Sequence, residues 1–219
     1  MNGDERERLI APEAPRKCPL CPRLVAYRAQ NESQEPEWFN GAVPSFGSAS
    51  AQLLIVGLAP GRNGANRTGR PFTGDYAGDL LYDTLLRYGF AEGKYQARPD
   101  DGLKLRDCMI TNAVRCVPPA NKPEPGEIAT CRPFFAARLA NLPNLKTILA
   151  LGRIAHDQTL TTLTKRKASY PFAHGARHEL TPELSLDDSF HCSRYNTNTR
   201  RLTAEMFRSV FEAIRQELP

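Results

Sequence analysis

No apolar run in this chain of 219 residues is long enough to cross a bilayer. The longest, residues 53–58 (LLIVGL), falls far below the roughly 18 residues a span needs. The N-terminus, MNGDERERLIAPEAPRKC, alternates acids and bases and has no apolar core of a secretion signal, so a cytoplasmic protein without disulfides is expected. Internal repeats and low-complexity linkers are also missing. The simplest organisation is a polar arm over residues 1–17 and one domain over 18–219. Neither charge dominates: 29 basic against 24 acidic side chains leave +5, too little to establish a polyanionic partner. The clustering says more. Arg62, Arg67 and Arg70 punctuate one glycine-rich loop, and Arg194, Arg200 and Arg201 another. The first loop has no lysine in the order GxxxxGK[ST], which excludes a nucleoside-triphosphate loop of that type.

What is present is an alternation of buried strands and helices. Strands are predicted over residues 52–57, 108–114 and 146–151 and near 189–191. Helices are predicted over 79–88, 125–142, 154–163 and 203–217, with Pro133 bending or splitting the second. Parallel neighbours need crossover connections, so the pattern implies an α/β fold: a parallel sheet between helices. Function in such sheets sits at the strand C-terminal ends. Three unusual loops each follow a predicted strand there: GLAPGRNGANRTGRPFTGD, TNAVRCVPPANKPEP and HCSRYNTNTRR.

Four of the six cysteines make a pattern. Cys18 and Cys21 form CPLC, and Cys116 and Cys131 lie 15 residues apart. Two intervening residues let both sulfurs of a pair reach one metal centre; zinc or an iron-sulfur cluster satisfies the spacing equally. Such a centre would staple the N-terminal segment and the 117–130 connection to the sheet. Cys108 falls inside a predicted strand and reads as packing, whereas Cys192 follows a histidine.

In the first loop Gly57, Gly61, Gly64, Gly69 and Gly74 free the backbone to approach a ligand. Phe72, flanked by Arg70 and Thr73 and followed by Asp75, offers an aromatic face and a carboxylate, which suit a planar heterocycle and a water. In the last loop His191 is followed by Ser193, Arg194, Tyr195, Asn196, Thr197 and Asn198, groups that hold phosphate oxygens or, for Tyr195, stack on a base or enter a duplex. His156, His174 and His178 read as structural.

Taken together, GLAPGRNGANRTGRPFTGD, ITNAVRC, the cysteine quartet, YPFAHGA and HCSRYNTNT resemble the uracil-DNA glycosylase superfamily, most closely its iron-sulfur fifth family. The resemblance runs from about Cys18 to the final helix. It implies a four-stranded parallel sheet between helices in a single domain, a structural [4Fe-4S] cluster on Cys18, Cys21, Cys116 and Cys131, and hydrolysis of the bond joining a deaminated base to deoxyribose in DNA. Phe72 matches the aromatic that stacks on the extruded base, Asn112 the amide that reads its edge, and His191 the histidine that stabilises charge on the base carbonyl. Asp75 is the candidate for holding the water. Gly57, Ala59 and Gly61 would line the base pocket, and Arg62, Arg67, Arg194, Tyr195 and Asn196 would contact DNA.

Three positions depart from the commoner pattern of the superfamily. Ala59 replaces an acidic or amide group, as in the fifth family. Gly61 stands where uracil-strict members carry a tyrosine, which implies a roomier pocket and tolerance of hypoxanthine. Cys192 replaces a proline. A monomeric, monofunctional enzyme is expected, since no loop places a lysine beside the base pocket. The alternatives are a DNA-lesion or single-strand binding module on the same fold, and a zinc-stapled enzyme acting on small nucleotides.

Overall fold

A computed structural model describes residues 12–218. The expected arm over residues 1–17 therefore lies mostly outside the described residues. Its described end is fastened: Glu13 pairs with Arg138 and, at 3.5 Å, with Arg115.

The chain begins with helix α1 (Pro22–Gln34) and edge strand β1 (Phe46–Gly47), then β2 (Leu53–Gly57), the single turn α2 (Ala65–Thr68) and α3 (Tyr76–Arg87). A small hairpin, β3 (Ala91–Glu92) with β4 (Lys104–Leu105), precedes β5 (Cys108–Asn112), α4 (Pro125–Ala140), β6 (Thr147–Leu151) and α5 (Arg153–Thr162). Strands β7 (Arg177–Thr181) and β8 (Leu184–Ser189) follow, then α6 (Arg194–Asn198) and α7 (Ala204–Glu217). No described helix is long and apolar enough to cross a membrane.

The main sheet has six strands in the order β1-β5-β2-β6-β8-β7. The β5, β2, β6 and β8 ladders are parallel, and β1 and β7 close the two edges antiparallel. The expected all-parallel sheet of four strands is thus corrected to a mixed sheet of six. Both additions escaped a search for buried apolar runs, because β1 is two residues long and β7 (RHELT) is polar and mostly exposed. The last parallel strand also starts earlier than expected, at Leu184. Its sequence LSLDDS hides a buried strand because Asp187 and Asp188 find partners inside, in Arg177 and His156. Pro133 lies inside α4 without splitting it.

Alternation along β2 sends side chains to two cores. Leu53 and Ile55 pack with Leu81, Leu85, Phe207 and Phe211 of α3 and α7. Leu54 and Val56 pack with Phe135, Ala155 and Leu160 of α4 and α5. The connection from β2 leads to β5 on one side, and the next leads back past β2 to β6. The order of winding therefore reverses at β2, where open α/β sheets leave a crevice beyond the strand ends. A third, smaller core joins Cys18, Leu24, Val114, Cys116, Cys131 and Phe134.

One ion pair locks the glycine-rich loop. Arg70 meets Asp101 through two hydrogen bonds of 2.8 Å, with its guanidinium 5.1 Å from the Phe46 ring and 5.3 Å from the Tyr82 ring. Burial pushes the Asp101 carboxyl upward in pKa, but bonds from Arg70 and from the Gln96 and Leu103 amides more than reverse this and hold it far below the ordinary value. A depressed carboxylate stabilises the fold above its unfolded pKa of about 4 and loses that contribution as pH falls toward the folded value. Asp101→Ala is expected to cost about 3–5 kcal/mol by leaving Arg70 unpaired. It should also flatten the decline of Tm in acid; a variant with an unchanged acid profile would contradict this role.

Candidate active site

Three chain segments meet beyond the C-terminal ends of β2, β5 and β8. They enclose a cleft of about 340 Å³ lined by residues that include Ala59, Gly61, Phe72, Asp75, Asn112, His191 and Arg194. Local backbone explains each placement.

Phe72 has φ of 54°, a left-handed conformation that a bulky side chain adopts only under constraint. The constraint is visible on both sides. Tyr82 Oη donates to the Pro71 carbonyl at 2.6 Å, and the Thr73 amide donates to the Arg70 carbonyl at 3.2 Å. The ring is thereby turned to the cleft wall, where it stacks on His191 with centroids 5.8 Å apart and planes inclined by 29°.

Gly57 ends β2, paired with Asn112 at the end of β5. A methyl group on Gly57 would lie 2.7 Å from Phe72 Cζ and press into the Asn112 amide oxygen. The glycine is what lets ring and amide come together over the strand end. Asn112 is only 3% exposed and lines the cleft. Its amide carries both a donor and an acceptor, so at the cleft wall it is disposed to bind a ligand that offers both.

His191 lies two residues past β8. Burial pushes its imidazole down to about 4, so it is neutral at physiological pH. Its carbonyl accepts a 2.8 Å bond from Asn196 Nδ2. Asn196 therefore holds the histidine loop from within the protein.

Asp75 is the N-cap of α3, its Oδ1 accepting from the Gly78 amide at 3.3 Å. The other oxygen, Oδ2, lies where a methyl on Gly61 would come within 3.0 Å. Burial raises the Asp75 pKa, against two backbone hydrogen bonds that lower it. The group thus caps a helix and lines the cleft, with Oδ2 packed against Gly61 and Gly64.

The cationic residues divide. Arg194 lines the cleft with its guanidinium 5.3 Å from the Tyr76 ring, and neighbouring Tyr195 is 72% exposed on α6. Arg62 is tied to Asn31 and Gln34 of α1, and Arg67 to the Asn63 and Gly74 carbonyls. Ser193, singled out in the last loop, also lines the cleft; Pro60, Tyr76 and Asn121 do too and were not singled out from sequence. Their only signal was proximity to a motif. Among the described residues no lysine lines this cleft; Lys122 stops one residue beyond Asn121.

Cys18, Cys21, Cys116 and Cys131 line one small pocket beside the cleft, and Ala59 packs against the same core. Burial pushes the Cys116 thiol up to about 12 and the Cys131 thiol to about 11. Arg28 and Arg115 also line this pocket, each with a buried Nε that has no hydrogen-bond partner, and the Arg115 amide donates to Cys131 Sγ at 3.3 Å. Four thiols ringed by unpaired donors and two guanidiniums fit a group that binds thiolates and carries net negative charge once bound. A second cluster of metal-ligand types, His156, His178 and Asp188, is instead a closed hydrogen-bond set. His156 Nδ1 lies 2.8 Å from Asp188 Oδ1, and its Nε2 lies 2.9 Å from the Tyr170 carbonyl. Those distances call for protons rather than a metal ion.

Comparison with known proteins agrees with this geometry. The sequence model described as "Uracil DNA glycosylase superfamily" matches residues 44–215, and the chain belongs to that superfamily. A type-5 uracil-DNA glycosylase of Thermus thermophilus is 45% identical over 199 residues, covering 88% of this chain and 90% of its own. One of Mycobacterium bovis is 39% identical over 204 residues, covering 89% and 75%. One of Pyrobaculum aerophilum is 34% identical over 197 residues, covering 88% and 85%. These relatives place the chain with the type-5 enzymes.

Proposed function

We propose that this protein is a monofunctional DNA glycosylase that hydrolyses the N-glycosidic bond of uracil in DNA, accepts deaminated purines such as hypoxanthine and xanthine, and leaves an abasic site. One observation carries the reading: a ring (Phe72), an amide (Asn112) and a neutral imidazole (His191) line a single cleft of about 340 Å³ at the strand ends.

Breaking the bond between sugar and base places positive charge on the sugar and negative charge on the departing base. A base in a duplex is out of reach until it is extruded, and the Phe72 ring supplies the surface on which it then stacks. The Asn112 amide donates to and accepts from the base edge, matching O4 and N3–H of uracil. His191, neutral, donates a hydrogen bond to the carbonyl oxygen where negative charge grows. Asp75, through Oδ2, holds the attacking water or balances the charge on the sugar. Gly61 leaves the space in which a larger base fits. Arg194 and Tyr195 contact the DNA around the extruded nucleotide, with Arg62 and Arg67 flanking it. Among the described residues no lysine lines the cleft, which agrees with hydrolysis by water rather than by an amine.

In the cysteine pocket, Cys18, Cys21, Cys116 and Cys131 would hold a [4Fe-4S] cluster. Bound there, it supplies a cross-link between the N-terminal segment, the end of the β5 loop and α4, and takes no part in the reaction. The protein acts as a monomer in the cytoplasm.

Duplexes carrying uracil, hypoxanthine or xanthine, incubated with the protein at one fixed salt concentration and treated with alkali, test the activity. Scission at uracil, with weaker scission at the purines, is the expected result. A shifted band without scission would instead make the protein a lesion-binding module. Asp75→Asn keeps an acceptor for the Gly78 amide, so it should slow cleavage while leaving Tm unchanged; equal turnover would remove Asp75 from the chemistry.

A further inference from the structure

The YPFAHGA motif contributes nothing to the cleft lining, yet it reaches the segment that carries His191. We propose that His174 is a positioning residue that holds His191 in place through the backbone of Phe190. The inference rests on the glycosylase reading above.

Phe190 is the first residue beyond β8, where the sheet ladder no longer offers its amide a partner. A buried backbone N–H needs one. His174 Nδ1 supplies it, accepting the Phe190 N–H at 3.1 Å, while the imidazole stacks on the Phe190 ring with centroids 5.1 Å apart. Because Nδ1 accepts, the proton of His174 is assigned to Nε2. Burial lowers the His174 pKa and so favours that neutral form.

The brace has a rigid base. The Gly175 amide donates to the Asp188 carbonyl at 2.8 Å, and the Asp188 amide donates to the Ala176 carbonyl at 2.9 Å. The same Asp188 side chain meets His156, whose other ring nitrogen holds the Tyr170 carbonyl at the start of the loop. His174 therefore projects from a loop pinned at both ends. Downstream, Asn196 Nδ2 donates to the His191 carbonyl at 2.8 Å. The histidine loop is gripped before and after its imidazole, by two side chains outside the cleft chemistry.

Two variants separate the hydrogen bond from the stacking. His174→Phe keeps a ring against Phe190 and removes the acceptor. His174→Asn places Oδ1 near the former Nδ1 and removes the ring. Single-turnover and steady-state cleavage of a uracil duplex should show kcat of the Phe variant reduced by about 10- to 100-fold, the order of loss for a misplacement of about 1 Å. KM, Tm and affinity for a non-hydrolysable uracil duplex should stay near the parent values, and the Asn variant should recover most of kcat. Parent-like kcat in the Phe variant overturns the brace, as does an equal loss in both variants or a loss carried by KM or Tm. If the parent protein releases no uracil, the glycosylase reading fails and the brace fails with it. Parent turnover with an unimpaired Phe variant overturns the brace alone.

Discussion

His191→Ala is expected to lower single-turnover release of uracil by about 10²- to 10³-fold, the loss typical of removing one preorganised donor to a developing oxyanion. Binding of a non-hydrolysable uracil duplex should change little, because the donor acts on charge that exists only in the transition state. The imidazole is held at about 4 by burial, so the parent rate should show no inflection at the ordinary histidine value near 6.5. Quenched-flow cleavage across pH 5 to about 9 checks this; a charged His191 would produce a clear break near 6. Parent-like turnover in the Ala variant would remove the histidine from the reaction.

The second effect concerns the cysteine pocket. Cys116→Ser is expected to abolish visible absorbance and most bound iron, and to lower Tm sharply. Structural metal centres contribute folding free energy on the order of 10 kcal/mol, comparable to the whole stability of a domain. Beyond its small apolar core, the N-terminal segment is held by individual side-chain bonds: Arg23 to Glu127, Arg16 to the Phe39 carbonyl, Arg62 to Asn31 and Gln34, and Glu13 to Arg138 and Arg115. Limited proteolysis of the variant should therefore cut first near residues 12–34. Iron analysis decides the metal. A folded, colourless parent protein containing zinc would contradict the iron-sulfur assignment.

Much of this arrangement was legible in the sequence, for physical reasons that also mark where legibility stops. LLIV and CMIT announce buried parallel strands because both faces are covered, so every side chain is apolar or small. The edge strand RHELT has one wet side and carries no such run, and the Asp187–Asp188 pair in β8 is readable only once Arg177 and His156 are seen beside it. The cysteine spacing drew four thiols to one pocket, but nothing in the spacing could show Arg28 and Arg115 in its wall. In the cleft, residue type pointed to Phe72, Asp75 and His191, and the family resemblance to Asn112, whereas the double duty of Asp75 as helix cap depends on local backbone geometry. Asn196 and His174 were harder still. Both act on the backbone of the 190–191 segment through side-chain bonds, and such bonds leave no periodic trace in sequence.

The convergence of Phe72, Asn112 and His191 on one nucleobase is tested most directly by a crystal structure of the protein with an abasic duplex and free uracil. The uracil ring should lie on Phe72, with its O4 and N3–H on the Asn112 amide and its O2 within hydrogen-bond distance of the His191 imidazole. A base seated elsewhere, with the Asn112 amide and the His191 imidazole both left without contact to it, would contradict the assignment.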